Sequence, residues 1–361
     1  MLDSFKRKKG FGLEISDFSL KALWLNKKGK DFVVAGHKRL NIPKGTVVEG
    51  EIKQPDKLAG LIRKTLETAD PQKISSQNVI TSLPENQTFV STIEVPKMTR
   101  KEMDEAVQWE AENYIPYPIK DVYLDWQKID EKDNKVKLLL AAARRDIVDG
   151  YTKTLELAKL KPQALELEAA AEGRALIANQ QDIKQIYLLV DIGATKTTFS
   201  ILTPNSIYFS SSIARVSGNF FSRTIADCLG IKKEEAEKMK VACCSPQVSE
   251  KEKIILDAIH PAFDELAKEI SKIEGYFLAK HPAFNSSNLN IIICGGGAGL
   301  FGIAPYLSLK VKKKIRLGDP WTNVSFTKNP KISLGRALSY SHVIGLALRG
   351  ADPKLYSYPE V

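Results

Sequence analysis

One pattern constrains this chain more than any other, and it occurs twice. An apolar run delivers a carboxylate into a short polar turn, and a second apolar run follows at once. The first copy runs from Gly12 through Glu14, Ser16, Ser19 and Lys21 to Leu25; the second runs from Ile186 through Asp191, Gly193, Ala194, Thr195, Lys196 and Thr197 to Leu202. Ile186-Tyr187-Leu188-Leu189-Val190 reads as a buried strand that brings Asp191 to its end. Gly193 lets the backbone turn tightly there. A turn of small residues exposes backbone N–H groups and hydroxyls to phosphate oxygens, and a carboxylate beside it holds the water shell of Mg²⁺. The chain continues as a strand, Thr198 to Leu202, and not as a helix, and the full Gly-x-x-x-x-Gly-Lys-Ser/Thr signature of a P-loop is absent. One such hairpin is also what ordinary structure looks like. Two of them can grip one polyphosphate from opposite sides.

A third segment, Leu289 to Cys294, is a buried strand running into Gly295-Gly296-Gly297, a turn without side chains against which a flat base or a ribose could lie. A flexible loop is the competing reading of that triple glycine. Residues 12–80 read as strands followed by a helix from Gln54 to about Ala69, closed by Asp70-Pro71. From Ile80 to about Leu165 the order strand, strand, helix, strand, strand, helix reads as a separate small unit, and its helix, Lys101 to Asn113, places Met103, Ala106, Val107 and Glu110 at helical spacing, read as core packing. The expected division is 1–80, an inserted unit 81–165, a connecting helix 166–185, a second lobe 186–333 with an insertion over about 220–288, and a C-terminal helix with its tail, 334–361.

Several function classes are excluded. With 361 residues and 43% hydrophobic content, the chain can bury a core in each of two lobes. No apolar run reaches the roughly 18 to 20 residues that cross a bilayer, and Met1 to Lys9 lacks the apolar stretch of a signal peptide, so a cytoplasmic location is expected. Cys228, Cys243, Cys244 and Cys294 have no metal-ligand spacing and read as reduced packing residues; His37, His260, His281 and His342 form no ligand cluster. The formal charge of +10 invites nucleic acid or an anionic membrane surface. Its basic groups, Lys6 to Lys9, Lys27-Lys28-Lys30 and Lys310-Lys312-Lys313-Lys314-Arg316, have no interleaved aromatics to stack on bases, so they read as solvated faces, with weak attraction to the inner leaflet as second reading and no nucleic acid expected.

These motifs, in this order, resemble the actin and hexokinase superfamily of ATP-binding proteins. Within it the chain looks like the PilM family of type IV pilus assembly proteins, relatives of the division protein FtsA. The resemblance also covers Val48 to Ile52, Ile80 to Pro84, Ile93 to Met98, Glu110 to Ile119 and Gly345 to Gly350. It implies an α/β, actin-like (ribonuclease H-like) two-lobed fold with a small α+β subdomain inserted in the first lobe. It implies ATP or ADP with Mg²⁺, held by Glu14, Ser16, Ser19 and Lys21 on one side and by Asp191, Gly193, Ala194, Thr195, Lys196 and Thr197 on the other. Asp191 and Glu14 would serve the metal through its water shell. Gly295, Gly296 and Gly297 would serve the adenosine. Glu237 and Lys240, one turn apart, map to the helix that faces ribose and base, although a solvated amphipathic helix has the same pattern. Glu168 maps to the acid that orients the attacking water; a helix-capping glutamate is the alternative.

The chain departs from the family pattern where Glu14-Ile15-Ser16 replaces Asp-x-Gly. Glutamate reaches one methylene further and Ser16 restricts the turn, so a looser first clamp is expected, with hydrolysis slow or absent. The implied role is a scaffold at the cytoplasmic side of the inner membrane that captures the N-terminal tail of a PilN-like membrane protein, with other pilus motor components and self-association as further expectations. An FtsA-like filament protein and an actively hydrolysing ATPase or sugar kinase are the rivals. FtsA ends in an amphipathic helix, whereas this chain ends in Ala351 to Val361 with two prolines.

Overall fold

The first repeat folds as its order of apolar run, polar turn and apolar run demands. β1 (Phe11–Ile15) and β2 (Ser19–Lys28) form an antiparallel hairpin with Glu14 directly across from Lys21, and β3 (Asp31–Asn41) continues the meander. The structure, a computed structural model, describes residues 8–29, 31–178, 185–203, 206–244, 250–282, 284–324 and 334–353. The basic residues Lys6, Arg7 and Lys30 and the tail from Lys354 lie outside the described residues.

A short ladder of β4 (Val47–Val48) and β5 (Glu51–Ile52) leads into α1 (Pro55–Glu67). Pro55 sits in the first turn of α1, where its missing N–H costs no hydrogen bond, and Leu58, Ala59, Ile62 and Leu66 form the buried stripe. After β6 (Asp70–Pro71), β7 (Asn78–Leu83) returns parallel to β1.

The chain then leaves this sheet. β8 (Thr88–Pro96), α2 (Arg100–Ala111), β9 (Val122–Lys132) and β10 (Lys135–Arg144) form a three-stranded antiparallel sheet, ordered β8-β10-β9, with one helix. Thr99 and Glu102 make a capping box at the start of α2, which buries Met103, Val107 and Ala111 against Ile93, Leu138 and Leu140. Ala106 and Glu110 flank that stripe half-buried.

α3 (Arg145–Leu157) and β11 (Lys161–Leu167) differ from the sequence expectation, which placed them in the inserted unit. α3 sends Ile147, Tyr151 and Leu155 into the core of the first sheet, and β11 pairs parallel with β7. The physical reason is that α2 already covers the face of the three-stranded sheet carrying Leu138 and Leu140, while β7 still offers an unpaired edge.

The second repeat opens a second sheet. After α4 (Glu168–Leu176), the strands β12 (Ile186–Ile192), β13 (Thr197–Thr203) and β14 (Ser206–Ile213) form a meander like β1-β2-β3. α5 (Gly218–Leu229), α6 (Lys233–Ala242) and α7 (Glu250–Lys280) follow; Phe221, Ile225, Ile259 and Phe263 from α5 and α7 share one core with Leu188, Val190 and Ile201 of the sheet. β15 (Leu289–Cys294) then lies parallel to β12, and α8 (Ile303–Val311) leads to β16 (Ile315–Leu317) beside β15. The sheet orders, β11-β7-β1-β2-β3-β6 and β14-β13-β12-β15-β16, are the same arrangement: a meander whose first strand takes two further parallel strands on its other side.

α9 (Leu334–Ala337) and α10 (Ser341–Ala351) complete the chain. α4 and α10 pack together between the two sheets, joining Leu23 and Leu25 of the first to Leu189 and Ile292 of the second in a shared core. Their crossing is close: a Cβ on Gly345 would stand 1.7 Å from the Ala171 carbonyl oxygen. Among the described residues no helix is long and apolar enough to cross a membrane.

Candidate functional site

Each hairpin ends in the same turn. The Ser16 N–H donates to the Ser19 carbonyl at 3.0 Å, and the Gly193 N–H donates to the Lys196 carbonyl at 3.0 Å. The replacement of glycine by Ser16 therefore leaves the shape of the turn intact. Ser16 is not at positive φ, so a side chain costs no backbone strain, and its Oγ accepts the Ser19 N–H at 3.1 Å. At Gly193 a Cβ would meet the Lys196 carbonyl at 2.8 Å, so there the absence of a side chain is required. Asp17 turns away and accepts the N–H groups of Glu49 and Gly50.

The first clamp is internally paired. Lys21 Nζ lies 2.5 Å from Glu14 Oε1, both side chains are buried, and Glu14 Oε2 has no hydrogen-bond partner. On the second hairpin Asp191 stands opposite Thr198 of β13 and Cys294 of β15. Glu172 of α4 reaches the same point: one carboxylate oxygen from each acid and the Cys294 sulfur lie within 4.8 Å of one another. Burial, and then the neighbouring Asp191 charge, push the Glu172 carboxyl well up, so Glu172 keeps its proton and donates to Asp191. Burial and Glu168 push Asp191 up as well. The Cys294 thiol is raised by burial and by both acids.

Glu168 opens α4, with its carboxylate accepting from Lys196 Nζ at 3.3 Å and from the Glu85 N–H at 3.3 Å. Burial alone would raise it, but Lys196 and His342 outweigh burial and hold it below its ordinary range. Lys196 is raised in turn, because Glu168 and Glu85 outweigh its own burial.

The glycine turn closes on the same acid. Gly295 has φ +81°, and a Cβ there would stand 1.9 Å from Asp191 Oδ1; on Gly297 it would stand 2.4 Å from the Ile192 side chain. Gly296 is open, with only Ser339 within 4.0 Å. Glu237 and Lys240 reach the second loop through α5. Lys240 Nζ donates to the Gly218 carbonyl at 2.8 Å, to Ser222 Oγ at 2.9 Å and to Glu237 Oε2 at 2.7 Å. The Gly218 and Asn219 N–H groups donate to the carbonyls of Gly193 and Ala194, each at 2.8 Å. The lysine is thus a strut that fixes the loop, and Ala194 and Thr195 form its exposed tip.

The fold brings Asp191, Gly295, Lys196 and Glu168 into one contact network, with Lys240 and Glu237 behind the loop. Glu14 acts on both Asp191 and Glu172 electrostatically. Sequence reasoning missed Glu172, Glu85, His342 and the place of Cys294. Glu172 had a legible signal, because it follows Glu168 by four residues and so shares its helix face. Glu85 and His342 had none, being brought in by tertiary packing.

A family model described as type IV pilus assembly protein PilM matches residues 12–351. The solved structure of a PilM-PilN type IV pilus biogenesis complex is similar at 28% identity and a TM-score of 0.80, over 96% of this chain and 100% of that one. The ethanolamine utilization protein EutJ from Carboxydothermus hydrogenoformans shares the fold at 14% identity and a TM-score of 0.58, over 96% of this chain and 91% of that one. MreB 5 of Spiroplasma citri bound to AMPPNP shares it at 14% identity and a TM-score of 0.55, over 96% of both chains.

Proposed function

This chain belongs to the type IV pilus assembly protein PilM family, and from that premise we propose that it is an actin-like scaffold which binds Mg²⁺ and ATP or ADP between its lobes and captures the cytoplasmic N-terminal tail of a PilN-like membrane protein. The observation that carries the reading is the likeness to a PilM-PilN complex over essentially the whole of both chains.

The residues present fit a nucleotide with its cation. Glu14 Oε2 and Thr197 Oγ1 are buried polar atoms without partners. Glu172 and Asp191 face each other across a proton held by Glu172, which a divalent cation would displace. Gly193 to Lys196 and Ser16 to Ser19 would take the phosphates, Asp191 and Glu14 the cation through its water shell, and the open side of Gly296 the adenosine. The cation supplies neutralisation of phosphate charge when bound. Lys21 and Lys196 each hold a carboxylate and would exchange it for phosphate oxygens. Glu168, fixed by Lys196 and Glu85, would orient water, and hydrolysis is slow or absent.

The inserted sheet has the second role. It joins the first lobe where Arg145 stacks 4.3 Å from the Tyr123 ring and donates to the Lys120 carbonyl. Tyr117 and Tyr123 remain exposed at this junction, and an extended peptide with apolar anchors would dock along it. It also touches the second lobe, with Lys137 Nζ 4.9 Å above the Tyr208 ring, so closure on nucleotide would alter the junction. The test is fluorescence anisotropy of a labelled N-terminal peptide from the PilN-like protein, with and without Mg-ATP. Binding that tightens about fivefold with nucleotide is expected; no binding in either condition would refute the reading.

A further inference from the structure

The two most exposed large apolar side chains among the described residues are Trp109 and Leu309, 75% and 76% exposed, and the function proposed above uses neither. The exposed charges around Trp109 are mainly acidic, with Lys101 one turn before Glu105, and those around Leu309 are basic.

On α2, Glu105 lies one turn before Trp109 and Glu112 one turn after it, so the three share the face opposite to Met103, Val107 and Ala111. Both glutamates are exposed and neither has an ionic partner among the described residues. The other acids of the first turns are engaged, Glu102 in the capping box and Asp104 with the Trp126 indole N–H.

Between Gly302 and Gly318 there are five basic residues and no acid. Asp264 takes Lys310 and Glu274 takes Lys313, which leaves Lys312, Lys314 and Arg316 exposed without an acidic partner among the described residues. Together with Ala304, Pro305, Leu309, Ile315 and Leu317, these residues line a shallow trough of about 820 Å³. β16 is the last strand of its sheet, so the trough lies along an edge on which no further described strand is paired.

We propose that the trough receives the α2 face of a second copy of this chain, with Trp109 against Leu309 and Leu317, and with Glu105 and Glu112 meeting Lys312, Lys314 and Arg316. Charge complementarity selects the occupant. A chain of net charge +10 repels its own copies unless opposite patches meet, and here the acidic patch and the basic trough each carry an apolar centre of matching exposure. Because the two surfaces differ, the contact is head-to-tail and each copy keeps a free patch at either end, which builds a ring or an open chain. One helix face on one trough is a small interface, so the association is weak and salt-sensitive. The proposal does not depend on nucleotide binding.

The test is sedimentation velocity of the full chain over a concentration series at low and high salt. Concentration-dependent growth at low salt is expected, weakened about tenfold or more by Trp109→Ala, by Leu309→Glu, by the pair Glu105→Lys with Glu112→Lys, and by the pair Lys312→Glu with Lys314→Glu. Mixing the two charge-reversed chains restores growth, since each supplies the other's complement; circular dichroism and thermal unfolding of each variant confirm that these exposed changes leave the fold intact. A monomer at every concentration, growth indifferent to these substitutions, or failure of the mixture to recover would each overturn the proposal. A parallel flotation assay with phosphatidylglycerol vesicles identifies the alternative: if Leu309→Glu abolishes vesicle binding while self-association is unchanged, the trough serves a membrane and the proposal falls.

Discussion

Glu85 shows how much chemistry can rest on one residue that the sequence does not single out. It is buried at the junction of first lobe and inserted sheet, its Oε2 is unpartnered, and burial lifts its carboxyl to about 7, with the Ser210 hydroxyl opposing and Glu168 adding to the rise. The folded state therefore holds a proton that the unfolded chain releases above its ordinary carboxyl value of 4.5. Stability from this group is fully present below that value and is lost as pH rises through about 7. Denaturant titrations at pH 5 and pH 8 should show a loss of stability on raising pH, and Glu85→Gln should reduce that loss by roughly 3 kcal/mol. An unchanged pH dependence would mean that Glu85 is ionised in the fold. The acids of the repeats, Glu14 and Asp191, were legible because each follows an apolar run and precedes a polar turn, which puts it beside a hairpin end. Glu85 was not, because its burial is created by β14 of the other lobe.

At the scale of elements, the junction of α4 and α10 decides whether the lobes hold together. Gly345 is seated on the Ala171 carbonyl, and Gly12 on the Ala347 amide, so α10 can lie flat against both α4 and β1 only where no side chain intervenes. Glu166 of β11 clamps the same place. Burial pushes its carboxyl up, but Arg174 of α4 and Arg349 of α10 outweigh burial and hold it at about 2. Gly345→Ala should cost about 1–3 kcal/mol or more, read as a lowered thermal midpoint, because backbone on both sides must move. A wild-type midpoint would show that the crossing can open freely. Elements were largely legible from periodicity: α1, with Pro55 in its first turn and its buried stripe, and β15 before the glycines both stand where the pattern put them. The membership of α3 and β11 was not, because local pattern gives an element's type and not the sheet whose edge remains free.

For the whole molecule, the repeated hairpin is a repeated lobe. Two sheets of equivalent strand order face α4 and α10, each delivers one acid into the space between, and the glycine turn after β15 closes on the second acid. That symmetry makes a shared polyphosphate site the central claim. Isothermal titration calorimetry of the full chain with Mg-ATP, beside Asp191→Ala, tests it most directly. The account predicts one site per chain for the wild type and an affinity at least about tenfold weaker for a folded Asp191→Ala variant. No binding by the wild type, or equal affinity in the two proteins, would contradict it.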